Sequence, residues 1–272
     1  MHAFLYRAVI LSLAFLTPWP LLAGSPDPDG FVAGIYKDSR GKAIFYRLYL
    51  PARLDPSARY PLVLYLHGFE GLGKDNKRQI SGLSYLGSHV WTTPFNQAAN
   101  PCFVLAPQCP FGGYWANILT RKPTGHLRRA VALIGDLSGQ YPIDPDRVYV
   151  TGQSLGGFGA WAAISYFPEV FAAAIPVCGG GSTGRAKLLA DKPVWAFHGS
   201  RDLIVWPRET RRMISALRKA GGDPRFTEFD GVGHTACLLA YAHPGLATWL
   251  FQQNRGSRSA PAGRDASNIP GP

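Results

Sequence analysis

The sequence predicts an α/β protein built on one doubly wound, mostly parallel sheet. Three features carry that expectation: continuous apolar runs of strand length, helical patterns of crossover length between them, and a glycine-flanked strand-to-helix turn at 152–156. A strand covered by helices on both faces loses its polar-apolar alternation and reads as unbroken apolar sequence. Leu62-Val63-Leu64-Tyr65-Leu66 is the first such run, and 102–106, 148–150, 172–177, 194–197 and 226–229 follow as further strands. Ahead of them, 31–38 and 42–50 are β-rich and flank Ser39-Arg40-Gly41, a turn signal, so they predict an opening hairpin. The clearest helical patterns span 127–140, 155–167, 207–220 and 241–252. Strands alternating with helices of this length predict crossover connections and a parallel sheet.

At 272 residues, 46% hydrophobic and 17% charged, the chain suits one large domain and is too apolar to be disordered. Its ends differ from its middle. Residues 1–24 run from Arg7 through an apolar stretch at 8–16 to Leu21-Leu22-Ala23-Gly24, the order of a secretory signal peptide. The apolar stretch meets Pro18 and Pro20 well short of the roughly 20 residues a spanning helix needs, so no stable membrane anchor is expected. Ser25 stands where a lipoprotein would carry Cys. Residues 25–253 then form the domain, and 254–272, rich in Gly, Ser, Pro, Ala and Arg, predict a disordered tail. A secreted or periplasmic location follows. Cys102, Cys109, Cys178 and Cys237 permit zero, one or two disulfides in that setting. They show no CxxC spacing, so no metal site is expected.

The formal charge is +11, but the cations are scattered as Arg121-Lys122, Arg128-Arg129, Arg208, Arg211-Arg212 and Arg218-Lys219. A nucleic-acid surface would concentrate them with aromatics on one element. Solvated helix faces account for most of them, and no nucleic-acid partner is expected.

Gly152-Gln153-Ser154-Leu155-Gly156 closes one predicted strand and opens a helix of small residues. A turn this tight tolerates no side chain two residues before or after its apex, and it presents the apical serine as a nucleophile. Gly180-Gly181-Ser182-Thr183-Gly184 matches the same spacing, but the eleven or so residues before the next strand leave little room for a helix. Ser154 is therefore the expected nucleophile. A general base and an acid that orients it should follow on loops after later strands. Asp202, in His198-Gly199-Ser200-Arg201-Asp202, and His234, in Asp230-Gly231-Val232-Gly233-His234, occupy such loops. Asp230 and His243 are their competitors. Charge developing on a carbonyl oxygen needs backbone donors, which the N–H groups of Leu155 and Phe69 would supply. Phe69 stands in His67-Gly68-Phe69-Glu70-Gly71, where Gly68 lets the backbone come close. Gln108, Tyr114, Trp115 and Trp206 fall near strand ends, where pockets form, and are the candidate substrate-binding residues. No cofactor is required.

With these residues in hand the chain resembles bacterial α/β-hydrolase esterases allied to prolyl-oligopeptidase-like and polyhydroxybutyrate-depolymerase-like hydrolases. The likeness covers roughly 40–252. It is carried by Leu66-His67-Gly68 with Gly71, Gly73, Asp75 and Asn76, by Ala106-Pro107-Gln108-Cys109-Pro110 with Trp115, by Ile143-Asp144-Pro145 with 147–152, and by 171–181. It implies a Ser-Asp-His set at Ser154, Asp202 and His234. Trp206 departs from the proline expected there, and the tryptophan expected just after His234 is absent, with Cys237 nearby instead. About 14 residues separate Cys178 from Lys192, too few for a large cap domain, so an open site is expected. The predicted activity is a serine carboxylic-ester hydrolase on short-chain or aryl esters, with small-molecule or polymer-linked esters as substrates. A prolyl-oligopeptidase-like peptidase, a polyhydroxyalkanoate depolymerase and an inactive binding module are the alternatives, and oligomeric state stays open.

Overall fold

The computed structural model describes residues 26–256 apart from Pro56. The expected signal peptide at 1–24 and the tail beyond Gly256 lie outside the described residues. Eight strands form one sheet: β1 (Phe31–Lys37), β2 (Ala43–Tyr49), β3 (Tyr60–Leu66), β4 (Phe103–Gln108), β5 (Ile143–Gln153), β6 (Ala173–Val177), β7 (Trp195–Gly199) and β8 (Arg225–Phe229), in the order β1-β2-β4-β3-β5-β6-β7-β8. β1 pairs antiparallel with β2, and β2 with β4; β4, β3, β5, β6, β7 and β8 run parallel. The opening hairpin and the mostly parallel sheet are thus as the apolar runs predict. β3, β4 and β6 are buried along their whole length, which is why their sequences are continuously apolar.

Among the described residues seven α-helices accompany the sheet: α1 (Tyr85–His89), α2 (Pro94–Ala99), α3 (Gly125–Ser138), α4 (Leu155–Tyr166), α5 (Arg208–Lys219), α6 (Ala236–Tyr241) and α7 (Leu246–Phe251). Thr124 begins α3 by accepting the His126 N–H on its side chain, at 3.2 Å. α4 is buried on nearly all sides, and its glycines admit close neighbours: a side chain at Gly157 would run into the Val177 carbonyl. α5 is two-faced, with Thr210, Met213, Ile214 and Leu217 buried and its arginines outward. The helix expected over 241–252 is corrected to two short ones. Pro244 lacks the N–H a continuous helix needs there, and the chain turns through a bond from Leu246 N–H to the His243 carbonyl before α7 begins.

Between β6 and β7 lies only a 3₁₀ segment, Thr183–Leu189, so among the described residues no cap domain covers the carboxyl ends of the strands. Two apolar layers, one on each face of the sheet, hold the core: Leu62, Leu64, Val150, Trp161 and Met213 on one side, Val63, Tyr65, Tyr149, Phe197 and Trp249 on the other. All four cysteines are free and buried, and burial pushes the Cys102 and Cys109 thiols up to about 12.

Candidate active site

Ser154 sits at the apex between β5 and α4 with φ 54 and ψ −116, a left-handed conformation that a non-glycine residue adopts only under constraint. The constraint comes from both flanks. A side chain at Gly152 or at Gly156 would collide with the Leu66 carbonyl, so the elbow closes directly against the end of β3. Ser154 N–H donates to the Val177 carbonyl at 3.0 Å, tying the apex to β6 as well.

His234, on the loop after β8, brings Nε2 to 2.9 Å from Ser154 Oγ and Nδ1 to 2.7 Å from Asp202 Oδ2. For Nε2 to accept the serine proton, the ring proton resides on Nδ1 and is donated to Asp202. Asp202 is buried. Its Oδ1 accepts the N–H groups of Ile204 and Val205, both at 2.9 Å, so the carboxylate is fixed by its own loop. The competitors stand elsewhere. Asp230 accepts the Ser200 hydroxyl at 3.1 Å, His243 packs edge-on to Trp195 with ring centroids 4.9 Å apart, and Ser182, at φ −87, starts the 3₁₀ segment without strain.

Two further buried imidazoles support this arrangement. His198 Nε2 lies 2.8 Å from the Val205 carbonyl and 3.3 Å from Asp202 Oδ2, while its Nδ1 lies 2.7 Å from the Thr210 hydroxyl. His67 Nε2 accepts the Cys109 N–H at 2.9 Å and its Nδ1–H reaches the Gly68 carbonyl at 2.6 Å, so the ring is neutral; burial lowers its pKa to about 4. It thereby pins the 68–71 loop to the end of β4. Glu70 adds a second tie: Oε1 accepts from Gly68 N–H at 3.2 Å, Ser84 Oγ at 2.7 Å and Gln153 Nε2 at 3.1 Å, joining that loop to the residue before Ser154.

Phe69 and Leu155 each open a helix, so their N–H groups lack the acceptor four residues back that an interior residue has. Both residues line one cleft of about 410 Å³ together with Ser154, Ile118, Arg121, Phe158, Ile204, Val205, Trp206, Arg208 and Glu209. Of the expected substrate-binding residues, Trp206 is on this wall and 56% exposed. Two others are corrected. Trp115 is 1% exposed, with its indole N–H donated to the His67 carbonyl at 3.0 Å, and it serves as packing beneath the 68–71 loop. Gln108 is also buried, and it is saturated: it accepts from Asn76 N–H at 2.7 Å and donates to the Gly71 carbonyl and to Asp75. Tyr114 is exposed but is not among the residues of the cleft.

Cys178, Asp202 and His234 place potential metal-binding atoms within 4.8 Å of one another among the described residues. Asp202 and His234 are already engaged with each other and with Ser154, and burial pushes the Cys178 thiol far above its ordinary range, so a metal would have to displace these bonds.

The chain is similar to several known hydrolases. Residues 114–238 match the dienelactone hydrolase family. A bifunctional acetylxylan esterase/xylanase from Neocallimastix patriciarum is 29% identical over 170 residues, which is 62% of this chain and 23% of the relative. A poly(3-hydroxyalkanoate) depolymerase C from Paucimonas lemoignei is 31% identical over 129 residues, 45% of this chain and 28% of the relative. The chain therefore spans about a quarter of the length of these two curated relatives. Among solved structures, a thermostable esterase superposes with a TM-score of 0.81 at 38% identity, over 84% of this chain and 64% of that one. A feruloyl esterase module from Clostridium thermocellum shares the fold, at TM-score 0.63 and 17% identity over 84% of this chain and 91% of that one. The sheet order and the superposition on the thermostable esterase show that the chain has the α/β-hydrolase fold and is similar to esterases.

Proposed function

We propose that the protein is a serine carboxylic-ester hydrolase working through an acyl-enzyme on short-chain or aryl esters. The observation that carries the reading is the continuous bond path from Asp202 through His234 to Ser154 Oγ at the mouth of an apolar cleft. Ser154 Oγ attacks the ester carbonyl as its proton passes to His234 Nε2, and the N–H groups of Phe69 and Leu155 receive the developing oxyanion. His234 then returns that proton to the departing alcohol as the C–O bond breaks. Water, deprotonated in turn by His234, releases the acid and restores Ser154.

Acyl selection falls to the cleft wall, where Phe158, Ile204, Val205 and Trp206 suit a compact acyl or aryl group. Export through residues 1–24 belongs to the same proposal and is checked by N-terminal sequencing of the mature protein. A second reading, hydrolysis of polymer-linked esters, is favoured by the exposed apolar rim: Leu119 is 90% exposed, Leu203 86%, and Phe69 and Ile204 also protrude. Labelling with a fluorophosphonate, followed by kcat/KM on nitrophenyl acetate, butyrate and hexanoate, on a feruloyl ester and on a peptide amide, tests the proposal. Labelling at Ser154 with turnover of the esters is expected; turnover of the amide alone would overturn it in favour of a peptidase.

A further inference from the structure

The two proposed oxyanion donors come from segments far apart in the chain. Phe69 opens the 3₁₀ turn Phe69–Gly71 that follows β3, whereas Leu155 opens α4 directly after the nucleophile. An oxyanion gains from both N–H groups only if they aim at one point, so the two segments have to be held to each other within about half an ångström.

One carboxylate bridges them. Glu70 Oε1 accepts Gly68 N–H at 3.2 Å, from the residue just before Phe69, and Gln153 Nε2 at 3.1 Å, from the residue just before Ser154. Ser84 Oγ donates to the same oxygen at 2.7 Å, and the carboxylate lies so close over Gly68 that a side chain there would strike Glu70 Oε2. The Gln153 end is equally constrained. This amide is buried, its Oε1 accepts the Tyr65 hydroxyl at 3.3 Å, and its Nε2 also donates to the Leu83 carbonyl at 3.0 Å. Tyr65 belongs to β3, whose end leads into the turn, so the bonds close a ring running from β3 through the turn, Glu70 and Gln153 back to β3. The three donors that meet Oε1 are neutral, so the bridge needs an oxygen at this place and not a charge.

We infer that Glu70 is a positioning residue for the oxyanion site: through Gly68 and Gln153 it fixes the Phe69 N–H against the Leu155 N–H. Glu70 is not among the residues of the cleft, so it acts through these neighbours and not on the substrate. The inference deepens the esterase reading and rests on it.

The test is kinetic, because a donor moved off its mark weakens transition-state binding and leaves ground-state binding nearly alone. Glu70→Ala should lower kcat on 4-nitrophenyl butyrate by about thirtyfold, less than the hundredfold or more that outright loss of a donor costs, with KM changed by less than about twofold. Inhibition by a trifluoromethyl ketone, whose serine adduct carries an oxyanion, should weaken by a similar factor. Glu70→Gln keeps an oxygen for the three neutral donors and should recover most of the loss. Gln153→Leu cuts the same bridge from the elbow side at similar volume. It should also lower kcat, and adding Glu70→Ala to it should cost no more than about threefold further. It takes the place of Glu70→Ala if that variant melts below the assay temperature. A kcat within about threefold of wild type in Glu70→Ala, a loss carried by KM, a Glu70→Gln variant as damaged as Glu70→Ala, or fully multiplicative losses in the double variant would each overturn the positioning role while leaving the esterase reading intact. A wild-type protein that turns over no ester would instead strike the esterase reading.

Discussion

Ser154 and Ser182 share a five-residue pattern and differ in everything the pattern is meant to imply. Only Ser154 carries the left-handed strain, the bare flanks pressed on the Leu66 carbonyl and a base at 2.9 Å. Ser154→Ala should remove nearly all turnover and Ser182→Ala almost none, measured as kcat on a nitrophenyl ester; His234→Ala should cost as much as losing the serine, because the three residues act as a unit. His198 offers a finer test. Its Nε2 holds the Val205 carbonyl and stands 3.3 Å from Asp202 Oδ2, so it acts on the base only through the aspartate loop. His198→Leu should lower kcat by about ten- to a hundredfold with little change in KM, and His198→Gln, whose amide nitrogen reaches a similar position, should recover much of the loss. Equal damage from both substitutions would show a packing role alone. The sequence made Ser154, His234 and Asp202 legible because chain order and loop placement constrain them. It could not reveal whether Gln108 and Trp115 point into the cleft or into the core, since position at a strand end leaves side-chain direction undetermined. Arg121 belongs to no motif at all, and only its place over Phe158 exposes it.

Among the elements, strands were the most legible, because burial on both faces writes itself as continuous apolar sequence. β5 extends further back than its apolar run, to Ile143, which pairs with Tyr60, while the polar stretch 144–147 bulges out of the ladder before Val148 pairs with Leu62. Short helices were the least legible: α1 and α2 are too brief to show a 3.6-residue period. Thr93-Pro94 is nevertheless a start signal, and the Thr93 hydroxyl does accept Asn96 N–H at 3.3 Å. The connection between β6 and β7 carries a functional consequence. With only Thr183–Leu189 there, no element among the described residues is available to slide off an apolar groove at a lipid surface. Rates across nitrophenyl esters of about two to twelve carbons should favour the shorter members, and should rise smoothly through any micelle threshold. A jump at that threshold together with a preference for long chains would mark a lipase.

At the scale of the whole molecule, buried imidazoles link stability to acidity. Burial depresses His67 to about 4, and it also lowers His89, His126 and His198. In the unfolded chain these rings bind protons near the ordinary value of 6.5, whereas the folded form resists protonation. The unfolded state therefore gains protons first as pH falls, and stability present above about 6.5 should be lost between there and about 4. Tm followed by circular dichroism across that window should fall steadily, and His67→Asn should flatten the slope. A Tm independent of pH over that range would contradict the assignment of these rings as buried and neutral.

The uncovered cleft also determines what can finish the reaction. In the proposed mechanism an acyl group on Ser154 would face the open cleft, so water would hold no protected position from which to exclude other nucleophiles. A small alcohol diffusing to the same face can take the acyl group in its place, with His234 removing its proton as it would from water. Under the proposed mechanism the ratio of new ester to free acid should then grow in proportion to the alcohol concentration.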